Sequence, residues 1–75
     1  MDRIFFDSNS GDEVSGYVLA FELSKQDIRK MRSRVRDGAI VLLYMPDELE
    51  VEARLKFDHD MKCWRGIPIG PFKIL

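Results

Sequence analysis

Six cations lie close together in the first half of the chain: Lys25, Arg29, Lys30, Arg32, Arg34 and Arg36. Arginine presents a planar fork of donors that matches phosphate oxygens. On one helix, Arg29, Arg32 and Arg36 share a face beside Ile28, Met31 and Val35, which would form a surface for nucleic acid or another polyanion. The plainer explanation is a solvated helix face paired with acidic segments elsewhere. The sequence pI of about 5.7 favours it, because nucleic-acid-binding domains tend to be basic.

Aromatic side chains can add base stacking to such a surface. Tyr17, Phe21 and Phe57 fall on apolar strand faces and are expected in the core. Trp64 stands beside Arg65 at a strand start, where it is either packed or half exposed for a partner. Phe72, Ile74 and Leu75 place bulky apolar groups at the end of the chain, where most domains fray. They dock into the domain's own core or onto a partner. Trp64, Phe72 and Leu75 are thus the candidate partner surface.

The remaining reactive groups are few. Cys63 and His59 stand four residues apart, with Asp58 or Asp60 as nominal orienters. A thiolate nucleophile needs a base in reach and a third group to aim that base. Neighbours in one loop cannot easily place all of these around a substrate, so a buried structural Cys and a surface His are expected. Three ligands in a row, Asp58-His59-Asp60, cannot easily all point at one metal, and a polar turn explains them better. The segment from Asp7 to Val18 lacks the glycine and final acid of a calcium loop. Glu50 and Glu52 lie on the exposed face of a regular strand, where cross-strand salt pairing explains them better than acid–base work. No glycine-rich phosphate loop and no hydrolase or zinc-protease signature occurs. No catalytic residue, cofactor or metal is expected.

The elements that must position these residues follow from periodicity. Arg3 to Asp7 is a short apolar strand. Turn formers Ser8 to Asp12 would join it, as a hairpin, to a strand over Gly16–Leu23, where Tyr17, Leu19, Phe21 and Leu23 alternate. Ser24-x-x-Asp27 fits a helix N-cap, and Gly38 fits the C-cap of a helix over Ser24–Arg36. Ala39–Met45 is unbroken apolar, hence a strand covered on both faces. Pro46-Asp47-Glu48 makes a turn. Leu49–Phe57 alternates strictly over nine residues and is a half-buried strand. Cys63–Ile69 is a strand that Gly66 and Pro68 mark as edge or bulged. After the Gly70-Pro71 turn, Phe72–Leu75 makes a last short one.

The order β-β-α-β-β-β predicts a mainly β fold with one helix: a small antiparallel SH3-like barrel or a strongly bent sheet. The run Asp37 to Tyr44, then Met45 to Glu50, then Trp64 to Pro68 resembles the layout of small bacterial proteins with SH3-like barrels. The resemblance covers roughly residues 37–69. It implies a binding or adaptor role and carries over no functional residue.

At 75 residues the chain holds one domain at most. With 45% apolar residues and a net charge of -1 it is not disordered. One Cys excludes an internal disulfide and fits a reducing, cytoplasmic setting. The start Met1-Asp2-Arg3-Ile4 has no signal-peptide pattern, and the longest apolar run is far too short for a membrane span. Charge alternates in blocks: acidic over 1–23, basic over 24–38, acidic over 39–60 and basic over 61–75. The blocks neutralise each other in the fold or steer a charged partner. A domain this small has a thin core, so a homodimer or a docked protein partner is expected. The expected function is binding through protein–protein contacts, self-association included. The alternative is nucleic-acid or polyanion binding through the arginine-rich helix, residues 25–36.

Overall fold

A computed structural model describes all residues, 1–75. The strands are β1 (Arg3–Phe5), β2 (Gly11–Asp12), β3 (Gly16–Val18), β4 (Ile40–Met45), β5 (Leu49–Asp58), β6 (Cys63–Pro68) and β7 (Lys73–Ile74). One helix, α1 (Glu22–Met31), precedes a 3-10 turn over Arg32–Arg34. The protein is therefore mainly β with a single helix. No helix is long and apolar enough to cross a membrane.

The strands form one mixed sheet in the order β1-β4-β5-β6-β3-β2, with β7 also on β5. Two expectations fail here. The sheet is not wholly antiparallel, because β1 runs parallel to β4, Ile4 opposite Leu43. Nor do β1 and β3 form a hairpin: β3 pairs with β2 and β6, while β1 lies at the far end of the order. The long connection through α1 supplies the crossover that a parallel pair needs.

The path stays open between β1 and β2, so the sheet does not close into a barrel. It is strongly bent all the same. In a flat sheet β1 and β3 would stand about 19 Å apart, four strand spacings. Yet the ring of Phe6, just past β1, lies 5.1 Å from the ring of Tyr17 on β3. Curling brings both onto one core with Ile4, Leu19, Met31, Val41, Leu43, Val51, Ala53 and Leu55. Gly66 permits the tight centre. A Cβ there would sit 2.7 Å from Leu43 Cδ1, so the absent side chain is the space that Leu43 fills.

The alternation over Leu49–Phe57 appears as β5, with Val51, Ala53 and Leu55 buried and Glu52, Arg54 and Lys56 exposed. β4 is not covered on both faces along its length: Val41 and Leu43 face the core, while Ile40, on the outer face, is 42% exposed. The strand expected over Gly16–Leu23 stops at Val18. Leu19 N–H makes a last bond to Trp64 C=O, close to the hairpin end of β6, and further ladder partners run out. Phe21 and Leu23 then pass into the helical turn and stay partly exposed. After β6 the chain leaves β5 at Gly70-Pro71 and returns as β7, Ile74 opposite Leu49.

The helix is shorter and starts earlier than its expected span, Ser24–Arg36. Ser24 is not its N-cap; Phe21 holds that place without a side-chain cap. Instead Ser24 and Asp27, three apart and so on one helix face, turn inward onto β1. The Ser24 hydroxyl donates to Phe5 C=O at 2.6 Å, and Phe5 N–H donates to Asp27 Oδ2 at 2.9 Å. The edge groups of β1 that face away from β4 are thereby satisfied, and the open edge is covered. The helix ends at Met31 because Arg32 takes a φ of +53°, a conformation glycine favours. Gly38 is not its C-cap; its N–H extends the ladder to Leu55 C=O.

Candidate functional site

The early helix end separates the three arginines. Arg29 remains on α1, Arg32 opens the 3-10 turn and Arg36 follows it in a loop, so they share no helix face. Neighbouring Arg34 is engaged by Asp2 through two hydrogen bonds of 3.0 and 2.8 Å. The proposed partner surface also divides. Phe72 packs edge-on against Tyr17, ring centres 6.4 Å apart, at the margin of the core. Leu75 is 53% exposed, its N–H bonded to Glu48 C=O.

Arg29 and Trp64 do converge. They line a groove of about 260 Å³ between α1 and the β5–β6 hairpin. Phe57 and Trp64 face each other in register and form its aromatic floor, ring centres 5.1 Å apart and nearly perpendicular. Leu19 and Ile28 add aliphatic surface. Lys25, Arg29 and Lys62 stand around it. Lys25, Ile28 and Arg29 are spaced to share one helix face. Sequence reasoning missed Lys62, and it took Phe57 for a core residue. The signal was present: Phe57 and Trp64 are equidistant from the turn of the hairpin.

The rim cations have little internal competition. Lys25 and Lys62 make no ion pair. Arg29 reaches Glu22 only at 3.5 Å, with both side chains exposed, which contributes little. Lys62 is held in place by its loop. Asp58 Oδ1 accepts from Asp60 N–H and Met61 N–H, both at 3.0 Å. Arg65 Nε donates to Asp58 Oδ2 at 2.7 Å, and its Nη1 donates to Gly16 C=O at 3.0 Å. The bond from Arg65, then the loop N–H groups, hold the Asp58 carboxyl below its ordinary 3.8. Asp58 is thus committed to the hairpin rather than to orienting His59, whose ring packs on Phe57 at 4.9 Å.

Cys63 also lines the groove. Burial, and then the nearby Asp58 charge, push its thiol above the ordinary 9.0 against the opposing pull of Arg65 and Lys25. Little thiolate is present near neutrality, and the thiolate is the reactive form. Cys63 of the folded protein is expected to react with iodoacetamide more slowly at pH 8 than in urea, with a rate midpoint above pH 9. Labelling as fast folded as unfolded would contradict this environment.

The groove can seat one apolar or aromatic group and place negative charge against three cations. No group of three His, Cys, Asp or Glu side chains is arranged to hold a metal ion. Comparison with protein-family models, with curated proteins and with solved structures gave no match.

Proposed function

We propose that the protein is a small binding domain that acts through contacts with another protein. Its groove receives an acidic segment of the partner bearing an aromatic or branched apolar side chain. The observation that carries this reading is the Phe57–Trp64 floor beneath Lys25, Arg29 and Lys62, two of which make no ion pair within the chain. The partner's apolar group gains by leaving water, and its carboxylates set its orientation and speed its arrival. The resemblance to SH3-like barrels implies an adaptor role of the same kind, although the sheet is open and mixed rather than a barrel. A lone free thiol fits work in a reducing compartment, the cytoplasm.

A nucleic acid is the weaker fit. Single strands need a cationic track as well as stacking surfaces, and Arg32 and Arg36 do not line the groove. The whole chain carries -1.

The test is a titration with three fluorescein-labelled probes: a peptide alternating glutamate with phenylalanine and leucine, its lysine counterpart, and a single-stranded thymidine oligonucleotide. Trp64, the single tryptophan, reports from within the site. The acidic peptide is expected to bind best and to shift Trp64 emission. The triple variant Lys25→Glu, Arg29→Glu, Lys62→Glu is expected to lose about tenfold or more in affinity. Equal binding of acidic and basic peptides overturns the reading. Tighter binding of the oligonucleotide, with a steep salt slope, replaces it with the nucleic-acid alternative.

A further inference from the structure

The outer face of the sheet, on the other side from the core, bears a pattern that matches itself. Two rows cross it. In one, Arg54 of β5 lies between Ile40 of β4 and Ile67 of β6. In the next, Glu52 lies between Leu42 of β4 and Ile69, whose N–H bonds to Glu52 C=O. Each row reads apolar, charge, apolar, and the two central charges are opposite. Neither Glu52 nor Arg54 makes an ion pair within the chain. Cross-strand neighbours of a surface charge often carry the opposite charge; here they are aliphatic. Ile40 and Ile69 remain 42% and 45% exposed.

We propose that this face binds a second copy of the chain, outer face to outer face. The twofold axis lies between the two sheets and crosses β5 at the level of Ala53. Such an axis reverses strand direction and keeps lateral order. It therefore sets β5 antiparallel over the second copy's β5, and exchanges the two rows, which lie about 7 Å apart along the strand. Glu52 then meets Arg54 of the second copy, and Arg54 meets its Glu52. Ile40 packs on Leu42 across the axis, and Ile67 on Ile69. The aliphatic flanks supply the burial, and the two ion pairs fix the register, since a slip by one row sets like charges together. Lys56, further along β5, comes over Glu50, which Arg3 approaches at 3.5 Å in its own chain. The groove stays open, because it lies on the other side of the sheet.

The test is sedimentation equilibrium on the wild type and on two exposed-site variants, Arg54→Glu and Glu52→Arg. The wild type is expected to move from 8.8 kDa toward twice that mass as concentration rises. Each variant alone presents like charges to its copy and is expected to stay monomeric with an unchanged far-ultraviolet circular dichroism spectrum. Mixed in equal amounts, the two regain both ion pairs and are expected to sediment as a dimer, which an unfolded variant cannot do. A wild type monomeric at all concentrations overturns the proposal. So does either variant dimerising alone like the wild type, or a mixture that stays monomeric.

Discussion

Phe6→Ala is expected to lower the unfolding free energy by about 4 kcal/mol. Phe6 is fully buried and is the largest such side chain in the protein. It sits where the curl of the sheet brings the end of β1 against Tyr17 of β3. Truncation loses the transfer of the ring and leaves a cavity where two distant strands meet. Local collapse cannot fill that space without flattening the sheet. A domain this small has only a few kcal/mol of net stability, so a large unfolded fraction at 37 °C follows. Urea unfolding followed by Trp64 emission measures the loss. A cost below about 1.5 kcal/mol would mean that the β1–β3 contact does not support the curled sheet.

Asp27→Ala is expected to cost about 3 kcal/mol, against about 1 kcal/mol for Asp27→Asn. Both hydrogen bonds of Asp27 end on the same oxygen. Phe5 N–H reaches Oδ2 at 2.9 Å and the Tyr44 hydroxyl reaches it at 2.8 Å. Asparagine retains one carbonyl oxygen and can accept both. Alanine leaves an amide of the β1 edge and a phenolic hydroxyl without their acceptor. Lys30 approaches the other carboxylate oxygen at 3.8 Å, but its side chain is largely exposed and contributes little. The same urea experiment separates the two variants. Equal losses would show that the carboxylate charge, rather than the shared acceptor, holds helix to strand.

The helix side of that contact shows why part of the fold was illegible in the sequence. Ser24 and Asp27 have the spacing of an N-cap and also that of two inward groups on one helix face. Only the position of β1 decides between these, and β1 finds its partner, β4, through a pairing that local pattern does not encode. The same dependence on distant partners hid the end of the strand at Val18. No glycine marks the helix end at Arg32, whereas the glycine that looked like a cap, Gly38, serves the ladder beside Leu55. The alternation in β5 was legible because half-burial of one strand writes its period directly into the residues. The site was legible in pieces. Arg29 and Trp64 stood out by type, but their convergence depends on the β5–β6 register and on where α1 rests. Arg32 and Arg36 share a face with Arg29 only on a helix that runs on to Arg36, whereas α1 ends at Met31.

Binding in the groove can be followed residue by residue with ¹⁵N-labelled protein. The acidic phenylalanine–leucine peptide is added while backbone and indole N–H resonances are followed. The largest shifts are expected at the Trp64 indole and at the amides of Phe57, Lys62, Cys63, Ile28 and Arg29, and they are expected to shrink as salt is raised. Shifts centred instead on Ile40, Glu52, Arg54 and Ile69, or no shifts at a saturating peptide concentration, would contradict the groove as the binding site.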